Sequence, residues 1–352
     1  MYDLTALILI LSVLTYIGLF IIKKKSNYHR TLKTVFLRIT LPKKESDLDS
    51  KKETTKDFKE MVSLMEQLLS SLKSTHSSRL LKKILGQDTM SFEYIAHERE
   101  ILFYVSCARD YKKLLEKQIN GFYPDAIIEE TKEVNIFENR NAFSTTYLNT
   151  VKSFAYPIKT YQKLESDPIN NITNAFSKLE EDQSAAIQII LKPIADDWQW
   201  KSTKISTKMM QAKSSSFTLN PIKILFALFS IFLSSWDEDK SPKDNNSSAL
   251  TQERAKTVDE KDDKTGYQVI IRIITTWNKK SDTNMELTNI VSSFSQFSYP
   301  GLNKFASTRN HSEWRLIKNY IYRYFSKPIW LKKMILNTEE LASIFHFPHS
   351  FN

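Results

Sequence analysis

The chain has 352 residues, room for about two domains of roughly 150 residues, and a formal net charge of +10. With 41% apolar and 26% charged residues it is neither a largely disordered nor a fibrous chain, and its single cysteine, Cys107, excludes an internal disulfide and suits a reducing compartment. The basic surplus is compatible with a solvated lysine-rich surface or with attraction to anionic lipid or nucleic acid.

Residues 5–22 form an unbroken apolar run, followed at once by Lys23, Lys24 and Lys25. As a helix the run would extend roughly 27 Å, which predicts an uncleaved transmembrane anchor rather than a signal peptide, since a basic start and a small-residue cleavage site are both missing. The lysine collar then places the N-terminus outside the inner (plasma) membrane and the bulk of the chain in the cytoplasm, as a single-pass protein.

Next comes a β-rich stretch, 34–41, ending at Pro42. Over 55–73, Phe58, Met61, Val62, Met65, Leu68, Leu69 and Leu72 recur in steps of three and four, one face of a helix. Two β-rich runs, 90–96 and 101–106, flank a short polar turn and predict a hairpin. A helix follows over 110–121 and a strand over 126–129. Strand, helix, strand, strand, helix, strand is the split βαβ, or ferredoxin-like, order, so 30–135 is read as a first α+β unit.

The second unit is read over 141–335. Its strands are 145–154, 185–191 and 267–277, with a short one at 305–308. Asp167 and Pro168 occupy the N-cap and first-turn positions of a helix carrying Ile169, Ile172, Ala175, Phe176 and Leu179, and further helices are predicted over 196–213, 285–297 and 313–325. Residues 237–264 hold nine acids and six bases with few large apolar side chains, so 214–264 is read as a disordered, charged insertion. Within it, the apolar run 222–233 is short for a span and reads as a buried or interfacial helix. Residues 336–352 form a tail. The predicted fold class is α+β: an N-terminal transmembrane helix followed by two ferredoxin-like antiparallel-sheet units.

Motifs for chemistry are scarce. The five glycines are isolated from one another, so no phosphate-cradling Walker A loop exists, and no G-x-S-x-G or H-E-x-x-H occurs. His346 and His349 sit three apart, but Pro348 breaks any helix that would align them on a metal. Cys107 ends a strand and reads as a packed thiol; the acidic groups Glu129, Glu130, Glu133 and Glu180, Glu181, Asp182 read as solvated charges. Accordingly no catalytic, cofactor or metal residue is assigned. One stretch offers contact chemistry: Arg309, Arg315, Lys318, Arg323, Lys332 and Lys333 interleave with Trp314, Tyr320, Tyr322, Tyr324 and Trp330. Such a mixture can hold phosphates and stack on bases, or lie at lipid headgroups. Trp314, Ile317, Ile321 and Tyr324 also fit a plain core face.

Residues 92–130, 154–198 and 335–350 resemble the N-terminal, non-catalytic half of bacterial type IV secretion and conjugative DNA-transfer ATPases, relatives of HerA-like helicases. The most specific part is the D-P-x-x-x-I-x-x-A-x-x-K-L-E pattern from Asp167 to Glu180, followed by Ile187-Gln188. The resemblance implies an anchored, non-catalytic module that positions a separate P-loop ATPase or another secretion component, with the membrane, DNA and copies of itself as further partners. In that family the segment ending in His-Phe-Pro leads into the motor, whereas this chain stops at Asn352. The anchoring half of a split motor, a truncated product and a stand-alone accessory protein all fit. A membrane-tethered nucleic-acid-binding protein using 309–333 is the alternative reading.

Overall fold

The computed structural model describes residues 2–42, 55–211, 247–308 and 312–348, with backbone alone at 2–9, 55–57, 208–211 and 247–249. A long helix, α1 (Tyr2–Thr31), leads into β1 (Thr34–Thr40). Then come α2 (Thr55–Leu72), α3 (Leu80–Leu85), the hairpin β2 (Met90–His97) and β3 (Glu100–Ala108), α4 (Lys112–Phe122) and β4 (Ile127–Thr131). Glu98 and Arg99 turn the hairpin with φ of 51° and 64°, the left-handed geometry that matches the twist of two-residue hairpins. The rest of the sheet comprises β5 (Ala142–Thr150), α5 (Ile169–Ser177), β6 (Ser184–Pro193), β7 (Gly266–Trp277), α8 (Lys280–Ser293), β8 (Phe305–Thr308), α9 (Glu313–Ile321), β9 (Met334–Asn337) and α10 (Thr338–Ile344).

The strands make one nine-stranded sheet, ordered β4-β1-β3-β2-β6-β7-β5-β8, with β9 added beside β7, and every pairing is antiparallel. Counted outward from the centre, each half runs second, third, first, fourth strand of its own β-α-β-β-α-β segment. The halves meet at the β2–β6 ladder, where Phe92 opposes Ile189 and Glu93 opposes Gln188. The expectation of two separate ferredoxin-like sheets is therefore corrected: each expected unit offers its second strand as an edge, and the two edges pair. The strand β1 is internal to the sheet, because it pairs with both β3 and β4.

Alternation along the strands builds two layers of core. On one face Val35, Leu37, Phe92, Tyr94, Val105, Ile187, Ile189, Ile271 and Ile273 pack with α2, α4, α5, α8 and α10. The helical stripe of α2 is buried as its spacing predicts, from Phe58 through Val62, Met65, Leu68 and Leu69 to Leu72. On the other face Ile95, Tyr104, Ala186, Ile270 and Ile274 pack against Leu316 and Tyr320 of α9 and Ile136. The α9 face predicted from Trp314, Ile317, Ile321 and Tyr324 is thus rotated: Leu316, Ile317 and Tyr320 are buried, while Trp314 is 73% exposed. The expected C-terminal tail joins the core instead. Asn337 and Glu340 form a capping box that starts α10, the Glu340 carboxylate also accepts from the Ile158 amide at 2.9 Å, and Leu341, Ile344, Phe345 and Phe347 are buried.

The N-terminal helix requires a second correction. Residues 5–9 of the expected span lie outside the described side chains. Residues 10–22 of the run are helical and expose their apolar side chains. Among the described residues no helix is long and apolar enough to cross a membrane. The transmembrane anchor, the single-pass inner-membrane placement and the membrane-collar role of Lys23, Lys24 and Lys25 are withdrawn on that finding.

Residues 198–263 form a second compact unit. It contains α6 (Gln199–Gln211) and, within the stretch expected to be disordered, α7 (Ser247–Asp262). Thr203 donates to the Asp262 carboxylate at 3.2 Å, joining the two helices. The run 222–233 lies outside the described residues.

Candidate functional site

A cavity with a strongly polar lining lies where the C-terminal turns of α1, the helix α3, the β6 end and the segment 323–325 converge. Its volume is about 530 Å³. Lys23, Asn27, Arg30 and Thr34 reach it from one side of α1 and its exit, as steps of three and four along a helix require. Arg30 fixes this wall. Its guanidinium donates to the Leu85 carbonyl at 2.6 Å, to Gln87 at 3.0 Å and to the Gly86 carbonyl, and to Asn27 Oδ1 at 2.6 Å. These carbonyls are the orphan acceptors at and just beyond the end of α3, and a cation is the fitting partner there. Gly86 permits the contact twice over: its φ is +99°, and a Cβ at that position would stand 3.3 Å from Arg30 Nη2. Asp88 pairs with Lys82 and lies 3.9 Å from Arg30.

Lys192 is the centre of the site. It is the penultimate residue of β6 and half-buried, and its Nζ sits 4.4 Å from the centroid of the Phe325 ring. Burial, and then the positive charges of Lys23, Lys333 and Arg30, push its pKa down to about 8. Among the described residues no carboxylate pairs with Lys23, Lys83, Lys192 or Lys333. The arrangement is a concave cationic surface with one partly desolvated ammonium, suited to holding a multiply charged anion.

The basic and aromatic stretch does not act as one surface. Arg309 lies outside the described residues. Arg315 and Lys318 are exposed on α9. Lys332 is exposed, with its Nζ 3.3 Å from the Val151 carbonyl oxygen. Lys333 alone brings an unpaired charge to the cavity. Arg323 touches the cavity wall, yet it is 5% exposed and committed: Nε and Nη2 donate to the two Glu93 oxygens at 3.0 and 2.9 Å, and Nη1 donates to Glu133. Of the lysine collar, Lys23 lines the cavity, while Lys24 and Lys25 are exposed outside it.

His346 is buried. Its Nε2 lies 2.8 Å from Asp167 Oδ1 and its Nδ1 2.9 Å from the Ala342 carbonyl oxygen. His349 lies outside the described residues, and among those described no cluster of His, Cys, Asp or Glu is arranged to hold a metal. Cys107 is buried, and burial pushes its thiol up to about 12, an inert setting for a nucleophile. Sequence reasoning missed Lys192, Lys82 and Lys83. The one signal for Lys192 was a lysine closing an otherwise apolar strand, directly before Pro193.

Comparison with known proteins adds a family and no activity. No curated protein matches the chain. A family model described as a domain of unknown function, DUF8128, matches residues 46–351, well over half of the chain; the protein belongs to that family.

Proposed function

We propose that this chain is a non-catalytic binding module whose basic cavity receives a phosphoryl-bearing ligand. Lys192 carries the reading: a half-buried ammonium surrounded by Lys23, Lys333 and Arg30, with no carboxylate against it among the described residues. Removing an ammonium from water without a counter-charge is unfavourable, and phosphoryl oxygens offset that cost through charge-assisted hydrogen bonds. The test is titration of the full chain with long-chain inorganic polyphosphate, whose internal groups keep a constant charge near neutral pH. Lys192→Gln should weaken binding roughly 10- to 100-fold, the range for a lost hydrogen bond to a charged group. The pH dependence has a definite sign. Lys192 is cationic below about 8 in the free protein, and a bound anion favours the cationic form. Affinity should hold below that pH, then fall by up to about tenfold per unit as pH rises through it, because binding now requires proton uptake. An unchanged affinity for the variant with a flat profile from neutral to alkaline pH would reject the site.

The resemblance carried by Asp167 to Glu180 supplies a setting for such a module, beside a separate P-loop ATPase of a type IV secretion or conjugative DNA-transfer apparatus. In-cell cross-linking that joins this chain to a P-loop ATPase supports the setting. Cross-links to other proteins and to no ATPase remove it.

A further inference from the structure

We infer that the ligand is a single-stranded nucleic acid, with its phosphates on the lysines and its bases against a ladder of tyrosines beside them; this rests on the phosphoryl-binding reading above. The ladder starts inside the cavity, where Tyr324 is part of the wall. Thr31, at the end of α1, lines the same cavity as Tyr324, Lys23 and Arg30. Tyr322 stacks on Tyr324, with ring centroids 5.4 Å apart and planes 28° apart. Tyr28 follows, 6.4 Å from Tyr322 and inclined at 52°. Tyr28 is 45% exposed and Tyr322 37% exposed, so both rings present surface to a ligand.

Two features favour a single strand over other phosphoryl compounds. Three neighbouring aromatic rings leading out of a cationic cavity form a platform for successive flat groups, and every nucleobase has a π-face to lay on such a platform. In a duplex those faces are already stacked on neighbouring base pairs, so the rings would have nothing to bind. Inorganic phosphate or a lipid headgroup would use Lys23, Lys192 and Lys333 and leave the tyrosines idle.

The experiment measures equilibrium binding of the full chain to fluorescein-labelled oligo-dT of about 15 nucleotides, a length on the scale of one single-strand site, alongside long-chain polyphosphate. We expect oligo-dT affinity to fall with salt with a log–log slope of about 2 to 3 in magnitude, as for three or four phosphate contacts on a single strand. Tyr28→Ala and Tyr322→Ala should each weaken oligo-dT by about 5- to 100-fold, and weaken polyphosphate far less. Lys333→Gln should weaken both ligands. Tyrosine variants that shift the two ligands equally, or shift neither, overturn the nucleic-acid inference while leaving the phosphoryl site standing. Tighter binding of the matched duplex, or of anionic vesicles, overturns it as well. Failure of polyphosphate and oligo-dT alike removes both readings.

Discussion

Arg323 shows how far a residue's environment can depart from its sequence neighbourhood. Its tyrosine and lysine neighbours suggest a phosphate contact, yet its guanidinium grips Glu93, which is fully buried at 0% exposure. Glu93 belongs to a polar row crossing the sheet, where Arg38 opposes Tyr104, Tyr104 opposes Glu93, Glu93 opposes Gln188, Gln188 opposes Arg272 and Arg272 opposes Tyr147. Arg272 donates onward to Gln188 Oε1 at 2.7 Å and to the carbonyls of Asn319 at 3.1 Å and Ser326 at 2.9 Å. The row therefore clamps the segment after α9 onto the sheet, and it holds Arg323 at a φ of 47°, a conformation that persists only where the surroundings enforce it. Arg323→Gln should cost about 3–5 kcal/mol, because it leaves a buried carboxylate without its cation. The double variant Arg323→Leu with Glu93→Leu should recover much of that loss, because replacing both partners removes the uncompensated charge. Urea denaturation of the three proteins decides the matter. A single variant that loses no more than a surface substitution, about 0.5 kcal/mol, would show that the pair does not hold the segment.

At the scale of elements, what the sequence revealed follows from how each element is buried. Helix α2 was legible because one face is dry and the other wet, so Phe58 to Leu72 repeat in steps of three and four. The β2–β3 hairpin was legible from two β-rich runs around a four-residue polar turn. The join between the halves was not. Ala185, Ala186, Ile187, Ile189 and Ile190 are all buried, so β6 reads as an apolar run broken only by Gln188, a pattern that announces burial on both faces but names no neighbour. The strand β9 and helix α10 span four and seven residues, too short for periodicity to register, and their stability comes from the Asn337–Glu340 box and tertiary packing rather than from local pattern. On α9, alternative apolar faces were available to the sequence, and contact with Tyr104 and Ile270 selected Leu316 and Tyr320. The cavity was the least legible feature, since its unpaired cations come from positions 23, 83, 192 and 333 and only the fold brings them together.

The whole sheet domain should respond as one cooperative body, although its topology repeats. Two independent sheets would have allowed 34–131 to melt apart from the second half. Here the β2–β6 ladder runs from Met90 opposite Leu191 to Ala96 opposite Ala185. The cover on one face is shared as well: Tyr267 of β7 donates to the Leu69 carbonyl of α2 at 2.7 Å, and Phe345, just after α10, packs on Phe92 and Tyr94 of β2 with centroids 5.2 and 4.6 Å away. Separating the halves would expose apolar area on both sides of a central seam, at roughly 25 cal/mol per Å², and would leave two strand edges unpaired. One half thus has little stability without the other. The chain carries its own probe of the first half, the single Cys107 on β3, which is 1% exposed and open to thiol reagents only when that half opens. Amide hydrogen exchange of β7 peptides reports on the second half. Across a urea series, the labelling of Cys107 and the exchange of β7 should share one midpoint and one denaturant dependence, as a single cooperative unit requires. Cys107 becoming reactive at urea concentrations where β7 remains protected would mean that the seam yields first, and that the halves retain separate stabilities despite their common sheet.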